Sequence, residues 1–71
     1  MLAFGNIEAE RSRNGLSKTE LAKRLGVSTT TYKRYITGAS CIPSDKVIKL
    51  ATELGCTADY LLGLSNEKDA S

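Results

Sequence analysis

Histidine is absent from this chain of 71 residues, and cysteine occurs only twice, at positions 41 and 56. The absence of histidine excludes Ser-His and Cys-His nucleophilic chemistry and histidine-ligated metal sites. Two isolated cysteines do not complete a zinc site. The chain also lacks a GxxxxGK[ST] phosphate-binding loop and any acidic pair typical of a general acid and base. The sequence therefore predicts a protein that is not an enzyme and that uses no metal, no cofactor and no small-molecule substrate.

Long apolar runs are missing as well. No stretch approaches the ~20 residues that a membrane-spanning helix needs. The N-terminal segment MLAFGNIEAE lacks the basic and apolar regions of a secretory signal. We therefore expect one cytoplasmic domain with no membrane partner and with reduced cysteines. Cys56 is predicted to be a small core residue and Cys41 to lie in a loop, with a redox switch at Cys41 as the alternative.

The net charge is only +2, but the charges are unevenly distributed. Residues 11–49 contain nine basic and two acidic side chains, a net charge of +7, whereas residues 1–10 carry −2 and residues 50–71 carry −3. A basic middle between acidic ends indicates an oriented electrostatic surface. Because a charge run is usually just a solvated face, this pattern is only weak support for a nucleic-acid partner.

Helix signals recur along the chain, and strand patterns are absent apart from residues 29–31. Helices are predicted from about residue 2 or 3 to 13, and over residues 18–25, 29–37, 45–54 and 58–62. Their start signals are the capping box Ser17-Lys18-Thr19-Glu20 and the cap residues Ser28, Ser44 and Thr57. Glycines that can adopt positive φ mark the ends. We expect an all-α domain over residues 1–64, followed by a flexible C-terminal tail, residues 65–71.

The apolar positions of these helices define the predicted core. Its members are Ile7, Leu16, Leu21, Ala22, Leu25, Val27, Tyr32, Tyr35, Val47, Leu50, Ala51, Leu54 and Leu61. Five short helices around one such cluster form a compact all-α domain.

The third predicted helix separates into two faces when successive residues are placed 100° apart. The polar and basic face consists of Thr29, Thr30, Lys33, Arg34 and Thr37. The opposite face consists of Thr31, Tyr32 and Tyr35, with Ile36 on its flank. Because three consecutive threonines are poor helix formers, packing of the opposite face must stabilise this helix. The polar face suits a DNA major groove, where threonine contacts base edges or thymine methyl groups and arginine pairs with guanine; an ordinary solvated face is the alternative.

The chain resembles the Cro/XRE-type helix-turn-helix family, the lambda-repressor-like DNA-binding domains. Two stretches, in this order along the chain, carry the resemblance: LSKTELAKRLGVSTTTYKRYITG and PSDKVIKLATELGCTADYLLG. The resemblance covers about residues 3–63. It implies a five-helix lambda-repressor-like domain with the helix-turn-helix at helices 2 and 3 and with residues 29–37 in the major groove. The implied base contacts are Thr29, Thr30, Lys33 and Arg34. The implied phosphate contacts are Ser17, Lys18, Ser28, Thr37, Gly38 and Ser40.

One position and one loop depart from the family pattern. Many members have a glutamate late in helix 3 that pairs with a helix 1 arginine, but here the matching residues are Ile36 and Arg11. Arg11 is therefore expected to be exposed, to pair elsewhere or to contact DNA. The loop after Gly38 is often basic in the family and is Ala39-Ser40-Cys41-Ile42 here, so we expect fewer phosphate contacts and a shallower salt dependence.

The predicted function is sequence-specific binding of a double-stranded DNA operator by a small transcriptional regulator, a repressor of a prokaryote, phage or mobile element. A homodimer is expected, because two recognition helices about one DNA turn apart add specificity. Its expected surface involves the fifth helix and its approach, with Cys56, Ala58, Leu62 and Leu64. The alternative is a helical protein-interaction module, antitoxin-like or antirepressor-binding, with little or no DNA binding. The uncharged loop 39–42 and the low net charge are the features that support this alternative.

Overall fold

The computed structural model describes residues 3–64, and within this range the chain forms five helices and no strand. The helices are α1 (Gly5–Arg13), α2 (Lys18–Leu25), α3 (Thr29–Thr37), α4 (Ser44–Leu54) and α5 (Ala58–Leu61). The all-α, five-helix prediction is confirmed, and α2 and α3 have the predicted boundaries. The predicted tail, residues 65–71, lies outside the described residues.

Local capping interactions explain why α2, α3 and α5 begin where the sequence predicts. The side-chain oxygens of Ser17, Ser28 and Thr57 accept the backbone N–H three residues later, at 3.0, 3.1 and 3.2 Å. Gly26 and Gly38 end α2 and α3 in the left-handed conformation, with φ of 74° and 81°. Each boundary therefore depends on residues within one helical turn, which is why sequence patterns find it.

The start of α1 differs from the prediction. The backbone N–H groups of Ala3 and Phe4 both donate to the carbonyl of Ile36, at 2.8 and 3.1 Å. These bonds tie the N-terminal segment to the end of α3, so that α1 begins only at Gly5.

The boundaries of α4 and α5 shift by one residue each. Pro43 is the N-cap residue of α4, and Ser44, predicted as the cap, is already the first helical residue and makes no side-chain cap bond. Leu62 is the C-cap residue of α5, which therefore ends at Leu61 rather than at residue 62.

A single apolar cluster holds the helices together. Ten of the thirteen predicted core residues are buried, whereas Val27, Val47 and Ala51 are partly exposed. Ile36, predicted on a flank, is buried, and so is Cys56, as expected. Cys41 lies in the loop between α3 and α4, as predicted, and is exposed. No helix among residues 3–64 combines the length and the apolar composition required to cross a membrane.

Candidate nucleic-acid interface

Helix α3 presents one face to the core and the other to solvent, as its sequence predicts. Tyr32, Tyr35 and Ile36 are 0%, 7% and 2% exposed, and they hold α3 against the rest of the domain. The remaining polar positions face outward: Thr30, Lys33, Arg34 and Thr37 are exposed, and Thr29 is partly exposed. The predicted base contacts therefore lie together on one accessible face of a firmly packed helix.

The start of α3 is tied to the start of α2. The Thr29 hydroxyl donates to the Thr19 hydroxyl oxygen at 3.3 Å. This bond restrains the side chain of Thr29, one of the four residues predicted to contact bases. The side chains of Thr30 and Lys33 make no hydrogen bond or ion pair within residues 3–64. Their donors are thus available to a partner without loss of an internal bond.

Arg34 has a different environment. Its Nε donates to Ser40 Oγ at 3.0 Å, and the Ser40 backbone N–H donates to the Arg34 carbonyl at 3.1 Å. Arg34 forms no ion pair with an acidic side chain in the described part of the chain. The charge of Arg34 therefore remains uncompensated although its side chain is tethered.

The predicted phosphate contacts lie at the helix ends. Ser17 and Ser28 are the N-cap residues of α2 and α3, and Thr37, Gly38 and Ser40 lie where α3 ends. Two of these hydroxyls already donate to partners within the domain: Ser28 Oγ donates to Thr31 Oγ1 at 3.0 Å, and Thr37 Oγ1 donates to the Lys33 carbonyl. Ser17 Oγ has only a long contact of 3.5 Å with Glu20 Oε1. Ser17 is thus the N-cap serine whose O–H could turn to a partner at the lower cost.

Arg11 is paired within a hydrogen-bond and ion-pair network centred on Glu8. The Arg11 guanidinium pairs with the Glu8 carboxylate, with Nε–Oε2 at 2.9 Å and Nη2–Oε1 at 3.3 Å, and Nη1 donates to the Leu16 carbonyl. The buried Tyr32 hydroxyl donates to Glu8 Oε2 at 2.5 Å. Lys18 is the outer member, with its Nζ 3.7 Å from Glu8 Oε1. Arg11 therefore pairs elsewhere, one of the three outcomes expected from the presence of Ile36.

The network perturbs the acid–base chemistry of its members. Burial alone would raise the pKa of Glu8, but the hydrogen bonds from Arg11 and Tyr32, with the charges of Arg11 and Lys18, outweigh it and leave that pKa below its usual value. Burial and the bond to the Glu8 carboxylate raise the pKa of the Tyr32 hydroxyl. Glu8 is thus held as a carboxylate and Tyr32 as a neutral donor. The spacing of three residues between Glu8 and Arg11 is a sequence signal for this pair, but nothing local indicates Tyr32.

A second network, which sequence reasoning missed, surrounds the buried Glu10, which is 3% exposed. Tyr60 donates its hydroxyl to Glu10 Oε2 at 3.2 Å, the Cys56 thiol contacts Oε1 at 3.6 Å, and Arg13 Nε lies 3.6 Å from Oε2. Asn6 Nδ2 adds a bond to the Tyr60 carbonyl at 2.7 Å. These contacts attach α5 to α1. They also direct Cys56 inward, which corrects its predicted place on a dimer surface.

Acidic and sulfur ligands do not gather into a metal centre in the described range. Among residues 3–64 no group of three or more histidine, cysteine, aspartate or glutamate side chains could hold a metal ion.

Comparison with known proteins agrees with this geometry. A helix-turn-helix family model matches residues 7–61, which include α2, α3 and the turn between them. The chain is also similar to the uncharacterized HTH-type transcriptional regulator YobD of Bacillus subtilis (strain 168), with 30% identity over 59 residues. That alignment covers 83% of this chain and 53% of YobD, so the chain spans about half the length of this curated relative. The resemblance predicted from the sequence is confirmed, and the chain belongs to the Cro/C1-type helix-turn-helix family.

Proposed function

We propose that this chain is a transcriptional regulator that binds double-stranded DNA sequence-specifically, with α3 in the major groove. The observation that carries the proposal is the pair Lys33 and Arg34. Both are exposed on the outer face of α3, and neither has an acidic partner within residues 3–64. Such cations can displace counterions from DNA without first breaking an internal ion pair. The family membership and the name of the relative YobD support the same function.

The side chains of α3 supply the proposed sequence reading. Thr29 and Thr30, in the first turn, are short enough to let the helix approach base edges or thymine methyl groups. Lys33 and Arg34 lie one turn further along and add donors for guanine O6 and N7. The buried Tyr32 keeps this face directed outward, because the helix cannot rotate without exposing it.

Residues on either side of α3 supply the proposed phosphate contacts. The N-terminus of a helix attracts anions, which suits Ser17 and Lys18 at the start of α2 and Ser28 at the start of α3. The Lys18–Glu8 pair is long, and Glu8 would keep Arg11 and Tyr32 as partners if Lys18 turned to a phosphate. The second group, at the end of α3, comprises Thr37, Gly38 and Ser40.

We further propose that the regulator is a repressor that acts in the cytoplasm as a homodimer on a pseudo-palindromic operator. A domain bound over an operator can block other proteins without contacting them. Two copies place their recognition helices one DNA turn apart, about 34–36 Å. Among the residues predicted for the dimer surface, Leu64 is 76% exposed and Leu62 is partly exposed, which leaves apolar area for a second copy. Sedimentation of wild type and Leu64→Glu, with and without DNA, tests this surface; a monomer under all conditions would refute the dimer.

Selection from a random pool of DNA duplexes tests the proposed function directly. The full chain should enrich a motif, and the spacing of its half-sites would report the dimer. In fluorescence anisotropy with the enriched duplex, Lys33→Ala and Arg34→Ala should each weaken binding by about fivefold or more. Lys49→Ala is a matched control for Lys33→Ala, because it removes the same charge from an exposed position of α4.

Two results would contradict the proposal. Equal losses for Lys33→Ala and Lys49→Ala, with no preference for the enriched duplex over a scrambled one, would indicate non-specific attraction. Failure to enrich any duplex at low salt would favour the protein-interaction module instead. Circular dichroism of each variant establishes that the domain is folded before binding is compared.

A further inference from the structure

Ser40 lies just after the end of α3 and is bonded to Arg34 at two points. Its backbone N–H donates to the Arg34 carbonyl at 3.1 Å, and its Oγ accepts the Arg34 Nε–H at 3.0 Å. The Arg34 side chain is otherwise exposed, and an untethered arginine in such a position would populate many rotamers. The bond to Ser40 restrains the guanidinium at its Nε.

We propose that Ser40 is a positioning residue that aims the Arg34 guanidinium end-on at a guanine, a role that rests on the DNA binding proposed above. A guanidinium carries five N–H donors in a planar fork. Ser40 occupies the Nε–H, whereas Nη1 and Nη2 have no partner among residues 3–64. These two terminal nitrogens are the pair that can donate side by side to guanine O6 and N7. Ser40 thereby acts on a base through Arg34, a role separate from the phosphate contact proposed above, because its Oγ only accepts from Arg34 and its O–H can still donate.

The backbone that carries Ser40 is itself fixed. Gly38 has φ of +81°, and a Cβ at this position would lie 3.0 Å from the Ala3 Cβ. The N–H groups of Ala3 and Phe4 in turn bond the Ile36 carbonyl. The turn after α3 is therefore packed against the N-terminal segment, and the Ser40 hydroxyl has a defined position relative to α3. A positioning residue requires such rigid support.

The expected effects follow from the two roles. Ser40→Ala removes the tether but leaves every donor of Arg34, so guanine discrimination should fall by about threefold to tenfold, the effect of freeing one long side chain. Arg34→Ala removes the reading group itself and should cost about fivefold to 150-fold at the same base pair. At the guanine that Arg34 reads, the double variant should lose no more discrimination than Arg34→Ala alone, because Ser40 acts on that base only through Arg34.

The test uses the full chain and the duplex enriched from a random pool, together with versions in which each guanine is replaced in turn. Anisotropy with Ser40→Ala should show the loss at the same guanine that Arg34→Ala identifies, and Ser40→Thr, which keeps a hydroxyl, should restore discrimination. Ser12→Ala is the control, since Ser12 is an exposed serine of α1 whose side chain has no hydrogen bond in the described chain. In NMR without DNA, the Arg34 Nε–H should exchange with water severalfold faster in Ser40→Ala.

Each other outcome has a separate meaning. A uniform loss on all duplexes, with no selective loss at that guanine, would leave Ser40 with its phosphate contact alone and overturn the inference. Discrimination or Nε–H exchange that is unchanged in Ser40→Ala would also overturn it, while Arg34→Ala still showed that α3 reads DNA. Failure of the wild type to enrich any duplex would refute the proposed function, and this inference with it.

Discussion

Replacing Tyr32 by phenylalanine should destabilise the domain by about 1.5–2 kcal/mol, through the loss of one hydrogen bond. The Tyr32 side chain is fully buried, and its hydroxyl donates to the Glu8 carboxylate, which joins α3 to α1. A hydrogen bond to a charged group contributes about 1.5–3 kcal/mol. The lower part of that range applies, because Glu8 keeps its two contacts with Arg11 and is not left unpaired.

Thermal and urea unfolding followed by circular dichroism measure this loss. A loss of this size should lower Tm by about 6–16 °C in a domain of this length. Tyr35→Phe is the matched control, because Tyr35 is buried on the same helix and its hydroxyl makes no hydrogen bond within residues 3–64. That variant should change the free energy of unfolding by less than about 0.5 kcal/mol.

The pH dependence separates the charged hydrogen bond from simple packing. Because the bond helps to hold the pKa of Glu8 below its usual value, its contribution is present near neutral pH and is lost as pH falls through that pKa. The difference between wild type and Tyr32→Phe should therefore be smaller at about pH 3.5 than at about pH 7. Equal effects of the two tyrosine variants, or a difference independent of pH, would refute the reasoning.

Three further predictions concern stability. Gly38→Ala should lower the free energy of unfolding in urea by at least about 1–2 kcal/mol, because a left-handed alanine is strained and its Cβ would press on Ala3. Gly55→Ala, which has the same backbone strain but open space around the new Cβ, should lower it less. Ser28→Ala should cost about 1 kcal/mol in thermal unfolding, and Ser28→Asp, which can also cap α3, should retain most of the stability. Wild-type stability should decline below about pH 4.5, where Glu8 is protonated more readily in the unfolded chain than in the folded one, and Glu8→Gln should flatten this decline.

Each of these predictions has a result that would contradict it. If Gly38→Ala were no worse than Gly55→Ala, the contact with Ala3 would contribute nothing. If Ser28→Asp were as unstable as Ser28→Ala, the cap would not be the cause of the loss. If wild type and Glu8→Gln lost stability identically at acidic pH, protonation of other carboxylates would be the cause of the decline.

Local signals in the sequence were sufficient for most of the fold. The cap at Ser17, the cap at Ser28 and the glycine stops at 26 and 38 each act within one turn, so the bounds of α2 and α3 could be predicted. The helical period also separated Tyr32 and Tyr35 from the outer residues of α3. It placed Ile36 only on a flank, because a single helix does not reveal how wide its buried stripe is. The roles of the outer residues toward DNA stay predictions.

The sequence by itself thus determined the helices, their order and the solvent-facing side of α3, because capping and periodicity operate between residues close in the chain. Only the tertiary structure decided how the polar side chains are paired. Glu8 meets Tyr32 across 24 residues, and Glu10 meets Tyr60 across 50. The tether from Ser40 to Arg34 spans only six residues, yet it requires the left-handed turn at Gly38 and the N-terminal segment packed against it. These pairings depend on directions and distances that arise only when the helices pack, and no local pattern encodes them.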